Sequence, residues 1–266
     1  MEQQIAASPR ERPAAGGIAE VAFDAPWAWL AAGWRDMWSA PHISLLYGGV
    51  FTALSLALTL GLLAGGAASL ILALAGGFLL VGPAAAVGLY EVSRRLEYGQ
   101  SLRLAEVLSE GLKAPGQLGF FGVILAFVYF VWVQLALLLF MLFFGGQILP
   151  PASAFVAALL LTNHGLGLLV TGTVVGGLLA AIVFAISVVS VPLLMTQRVD
   201  AVTAIATSVT AVWRNPKPMA LWAGLIAGFM ALGLASLLVG LVIVFPLIGH
   251  ATWHAFRDVV RVADQR

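Results

Sequence analysis

The chain contains no cysteine. Disulfides, thiolate nucleophiles and cysteine-ligated metals are therefore excluded. Charge is nearly as scarce: only 9% of the 266 residues are Asp, Glu, Lys or Arg, where a soluble domain carries roughly 25%. With a net charge of +1 there is no basic field to hold nucleic acid. A nucleotide-phosphate loop, a catalytic triad and an H-E-x-x-H zinc signature are all missing. What fills the chain instead is apolar, 61% of it, with 29 glycines. No water-soluble fold of this length hides so much apolar surface, so the composition specifies an integral membrane protein, its glycines serving close helix packing in lipid.

The few charges are segregated. All 13 basic and 12 acidic residues lie in four stretches, 1–42, 91–117, 196–217 and 251–266, separated by three uncharged blocks. A crossing helix needs about 20 apolar residues. The first block therefore holds two spans, 43–63 and 67–90, and the second holds 118–144 and 166–195, with a short apolar helix at 152–161 on the far surface. The third block, 218–250, reads either as one long tilted span or as a hairpin of 218–232 and 235–250 turning near 233–236. Each hairpin arm would be only about 22 Å long. A single span, however, would place Arg257, Arg261 and Arg266 opposite every other positive charge, against the positive-inside bias. The hairpin is preferred. The expected fold is an all-α polytopic membrane helix bundle: a disordered cytoplasmic tail over 1–22, one domain of six transmembrane helices over 23–262, and a short tail over 263–266. Both termini are expected on the cytoplasmic side of an inner membrane, with the first span as its own insertion signal.

Within this pattern lies a threefold repeat. GWRDMWSAPHISLLYGG, EGLKAPGQLGFFGVI and AVWRNPKPMALWAGLI each run through a proline (Pro41, Pro115, Pro216) into a span. Before each proline, apolar residues fall at helical spacing: Trp27, Leu30, Trp34 and Trp38; Leu104, Val107, Leu108 and Leu112; Val202, Ile205, Val209 and Val212. Asp24, Ser101 and Asp200 are the expected N-caps. Such amphipathic helices lie in the membrane interface, with Trp27, Trp34, Trp38, Trp213 and Trp253 as its anchors. Pro83, Pro192 and Pro246 recur near the cytoplasmic ends of the even spans. The repeat unit is thus interfacial helix, span, span, giving three parallel hairpins. Gly61-x-x-x-Gly65, Gly172-x-x-x-Gly176 and Gly224-x-x-x-Gly228 are expected to admit close backbone approach within the bundle.

Few residues offer chemistry. His250 and His254, four apart, share a helix face and can present ring nitrogens to one metal. Glu91, equivalent to His254 in the repeat, and His42, at the start of the first span, would complete a four-residue cluster for a divalent metal or haem. The more ordinary reading has these histidines bonded to lipid phosphate or to backbone, with no cofactor. No Asp, Glu, Lys or Arg falls within a span, which argues against ion-coupled transport and voltage gating. Gln134 is the strongest polar group deep in a span; it is expected to bond a neighbouring helix, with substrate contact as the alternative.

The strings LLYGGVF, GPAAAVGLYEVSRRLEYGQ, FAISVVSVPLL, NPKPMALWAGLI and GHATWHAFRDVV, in order over about 25–262, resemble a bacterial family of predicted integral membrane proteins, domain of unknown function 2189. The resemblance implies a bacterial inner-membrane protein of about six helices and no assigned activity. Some relatives carry labels linking them to cytochrome oxidase, but the multi-histidine spans of an oxidase catalytic subunit are absent here. The leading expectation is a non-enzymatic protein acting through helix packing, with membrane lipid or a larger membrane complex as partner. A small-molecule or lipid transporter is the second; three parallel units suggest mitochondrial carriers by analogy, without their charged P-x-[DE]-x-x-[KR] motif. A metal- or haem-binding redox accessory using His250 and His254 is the third.

Overall fold

The structure, a computed structural model, describes residues 17–107, 116–145 and 152–260. Most of the expected N-terminal tail, the C-terminal tail, much of the second interfacial segment and part of the far-side connector lie outside those residues. The described chain is all-α: α1 Ala25–Ser39, α2 Pro41–Ala64, α3 Ser69–Ala85, α4 Val87–Glu97, α5 Gly116–Phe144, α6 Ala152–Leu161, α7 Asn163–Ser187, α8 Ser190–Thr196, α9 Ala201–Arg214, α10 Pro216–Ala235 and α11 Leu241–Val259. Four stretches are long and apolar enough to cross a membrane: α2, α5, α7 continued through α8 (Asn163–Thr196), and α10.

Prolines set the joints. A residue before proline is pushed out of the α region, and proline itself is well suited to a first helical turn. Ala40 (φ −134°, ψ 57°) therefore ends α1 before Pro41 opens α2. Asn215 (φ −124°, ψ 52°) ends α9 before Pro216 opens α10 with nearly the same backbone bend. Two of the three expected repeat units thus share a joint geometry. Pro192 cannot donate to the carbonyl of Val188, and the chain breaks there, between α7 and α8. The proline helix α11 instead runs on through Pro246. There the carbonyl of Val242, deprived of its partner, lies beside Gly48 of α2; a Cβ on Gly48 would strike that oxygen and sit 3.0 Å from Pro246 Cδ.

The third block divides at 236–240, where Leu237 (φ 54°) and Leu238 (φ 71°) take left-handed backbone. Ser236 Oγ accepts from Gly240 N at 2.8 Å and donates to the Gly233 carbonyl, closing the turn. The break falls a few residues beyond 233–236. Consequently α10 has 20 residues and α11 has 19, roughly 30 Å each at 1.5 Å per residue; of the two, α10 is among the stretches apolar enough to cross, whereas α11 runs on from the uncharged block into the ionisable residues His254, Arg257 and Asp258.

Two packing centres organise the bundle. Helix α11 lies against α1, α2, α4 and α10, with Phe245 meeting Phe51 at 4.5 Å and Phe78 at 5.6 Å between ring centroids. Elsewhere Trp132 of α5 donates to the Ala73 carbonyl of α3 at 2.7 Å, its ring filling the space left by Gly76 and Gly176. The Gly-x-x-x-Gly expectation is corrected accordingly. Of those six glycines only Gly176 receives a neighbouring helix; Gly61, Gly172, Gly224 and Gly228 have no atom within 4 Å of a would-be Cβ, and Gly65 meets only its own chain. At the two ends of the described chain, Ile18 and Val260 pair in an antiparallel bridge, with Ala19 N donating to the Val259 carbonyl at 2.8 Å.

Candidate functional site

The charged stretches converge on one end of the bundle. Helix periodicity puts His250 and His254 on one face of α11, and Gly33 and Gly249 let α1 and α4 close against that helix, on Ala251 and Leu89. His250 is fully buried. Its Nε2 is 2.9 Å from Ser44 Oγ of α2 and its Nδ1 is 2.8 Å from Ser93 Oγ of α4. One turn on, His254 Nε2 donates to Asp36 Oδ2 of α1 at 2.8 Å. Four helices are tied through two imidazoles.

Around this centre most of the remaining polar groups are matched, while the buried Trp222 Nε1, packed beside Trp29, has no hydrogen-bond partner among the described residues. Glu91, also buried, accepts from Arg94 Nε and Nη2 at 2.7 Å each and from Arg95 Nε at 2.6 Å. Glu97 accepts from Trp253 Nε1 at 2.9 Å and lies 2.9 Å from Arg257 Nε, a charge contact in which the N–H is not aimed at the carboxylate. Asp258 accepts from Trp29 Nε1 at 2.9 Å, and Asn215 binds the backbone of Val21 and Ala19 at 2.9 and 3.0 Å. Burial by itself would raise the Asp36 carboxyl; the His254 and Ser93 hydrogen bonds, with the nearby imidazoles, outweigh it and hold that carboxyl below its ordinary range. The same opposition at Glu91, burial against Arg94 and Arg95, also ends below the ordinary value.

The expected metal or haem cluster is not assembled. His42 is exposed, both ring nitrogens of His250 are engaged by serines, His254 holds Asp36, and Glu91 is saturated by arginines. Among the described residues no three His, Asp or Glu side chains approach as a metal set. Trp27, Trp34, Trp38 and Trp213 are exposed, as interface anchors require, but Trp253 is 1% exposed and belongs to the core. Gln134 lies on an exposed face of α5 and makes no hydrogen bond among the described residues. Of the expected caps, Asp200 accepts from Thr203 N at 2.9 Å, whereas Asp24 precedes α1 without bonding it. Leu30 is buried rather than sharing the exposed side of Trp27, and α9 packs by its small residues Ala204, Ser208 and Ala211, leaving Val202 outward. Ser44, Ser93 and Asp36 escaped sequence reasoning: lone serines near a span end carry no periodic signal, and their partner His250 lies 206 positions from Ser44 and 157 from Ser93.

Beside the polar end, a cavity of about 700 Å³ opens between α3, α5 and α7 on one side and α10 and α11 on the other. Among the described residues no Asp, Glu, Lys, Arg or His lines it. Its walls are leucine, alanine, glycine and phenylalanine, with hydroxyls from Tyr90, Thr173, Ser187 and Thr252.

Residues 70–196 match the family described as "Predicted integral membrane protein (DUF2189)", a narrower stretch than the resemblance over about 25–262. No curated protein and no solved structure matches the chain.

Proposed function

We propose that this integral membrane protein, matched over residues 70–196 to the DUF2189 family, has a non-enzymatic, lipid-associated role in a bacterial inner membrane. The observation that carries the reading is the separation of ionisable groups from internal space. His250, His254, Glu91, Glu97, Asp36 and Asp258 are spent on one another, on arginines, on serines or on tryptophans, while among the described residues the cavity has no charged or imidazole side chain. Hydrolysis, proton relay and ion coupling each need a reactive group facing a space a substrate can enter. Transport through Gln134 has no support, because that side chain is outside the cavity lining, and a metal or haem on His250 and His254 would have to displace their present partners.

The accompanying topology is six spans as three hairpins, the interfacial helices lining one face, and both termini cytoplasmic. The Ile18–Val260 bridge supports an even number of crossings, since it holds the two described ends together. Exposed Trp27, Trp34 and Trp38 on α1 and Trp213 on α9 support two of the interfacial helices.

Lipid extraction and mass spectrometry of protein purified in mild detergent test the role. Phospholipid, or a membrane-protein partner, is expected to be retained through successive washes; recovery as a lone chain free of both overturns it.

A further inference from the structure

We infer that the partly open cavity between these helices is a binding site for a hydrocarbon chain of a membrane phospholipid, oriented with its ester end toward the charged end of the bundle; this rests on the lipid-associated reading. Gly82, Gly172 and Gly177 line the cavity, and a Cβ on any of them would meet nothing within 4 Å. Its volume of about 700 Å³ falls inside the range of about 300–1,000 Å³ usual for ligand sites.

Water is a poor occupant. A buried water needs two to four polar partners, yet Trp132 Nε1 is already bonded to Ala73 O at 2.7 Å and Thr252 Oγ1 to Ile248 O at 2.8 Å. Three of the four stretches apolar enough to cross a membrane, α5, α7–α8 and α10, supply walls. The medium at that depth is acyl chain.

Polarity along the cavity supplies the orientation. Leu70, Leu139 and Leu168 line it near the uncharged ends of α3, α5 and α7. Tyr90, Ser187 and Thr252 line it at the opposite end, beside Glu91 and between His250 and His254 in sequence. An amphiphile placed chain-first toward Leu70 would bring its ester oxygens to the hydroxyls of Tyr90 and Ser187, Thr252 having already donated its proton to the Ile248 carbonyl.

Trp132 gives a direct readout, because it lines the cavity yet is only 7% exposed. The full chain and its Trp132→Phe variant are reconstituted in dioleoylphosphatidylcholine vesicles, or in the same lipid with brominated chains. The emission contributed by Trp132, the difference between the two proteins, is expected to be largely lost in brominated vesicles. Gly172→Phe, which fills the cavity, is expected to restore it; Gly224→Phe, on an exposed face outside the lining, is expected to leave the quenching unchanged. Equal Trp132 emission in both lipids overturns the assignment, and that comparison decides alone if Gly172→Phe does not fold. Retained lipid with an unquenched Trp132 sinks only the cavity site; purified protein without lipid sinks the lipid-associated reading beneath it.

Discussion

At the scale of single residues, two histidines four apart look like a metal pair and act as two separate struts. His250 joins Ser44 to Ser93, and His254 holds Asp36. The spacing was legible because helix periodicity is local. The partners were not, because each comes from a different helix and a lone serine or aspartate has no signature of its own. Removing one member strands the other, and a buried polar group without a partner costs about 1–3 kcal/mol. Asp36→Asn is therefore expected to lower the unfolding temperature in detergent, and Ser93→Ala to do so through His250. The carboxyls also set a pH dependence. Asp36 and Glu91 sit below their ordinary values in the folded protein, so their stabilisation is present above the ordinary carboxylate range and is lost as pH falls through the folded values. The melting temperature should drop on acidification below about pH 4, and by less in Asp36→Asn than in the unaltered protein.

Elements show a similar division. Helix joints at Ala40–Pro41 and Asn215–Pro216 could be read directly, since proline constrains its own φ and its predecessor's backbone within two residues. Glycine contacts could not. Gly-x-x-x-Gly marks a face that permits close approach, but only the packed neighbour decides whether anything approaches. Here intimate contacts fall at Gly33, Gly48 and Gly249, each against or within α11, and also at Gly77, Gly165, Gly167 and Gly176, while Gly224 and Gly228 face open space. Gly48→Ala is expected to destabilise by about 1–3 kcal/mol through overpacking, because the obstacle is the Val242 backbone and not a flexible side chain. Gly228→Ala is expected to stabilise by about 0.5–1 kcal/mol, since alanine restricts the unfolded chain without meeting anything. Thermal unfolding of the two variants checks the pair; equal destabilisation would restore the motif's expected role.

For the whole molecule, the segregated charge and the paired ends set the expected sidedness. The chain has no cysteine, so single-cysteine variants report on an unaltered background. His164 lies at the uncharged end and is exposed, and Arg198 lies at the charged end and is exposed. A membrane-impermeant thiol reagent is expected to label His164→Cys in spheroplasts with intact inner membrane and to label Arg198→Cys only after permeabilisation. Labelling of both from outside would sink the segregated topology. The third hairpin is tested in the same way at Leu237, 81% exposed in the turn between α10 and α11: Leu237→Cys should follow His164→Cys.

Membrane residence, four of the six expected spans, the proline joints and the gathering of charge into a few stretches are all written in the chain, because hydropathy, backbone restriction and charge scarcity act over a few residues to one span length. Tertiary structure alone decided that Trp253 is core and not an anchor, that Glu91, His250 and His254 are bonded apart, that α9 packs by its alanines, and that an apolar cavity is left between the α3–α5–α7 group and the last two helices. Those outcomes depend on which surfaces meet across more than a hundred residues, and uniformly apolar helices offer no periodic stripe from which to predict the meeting.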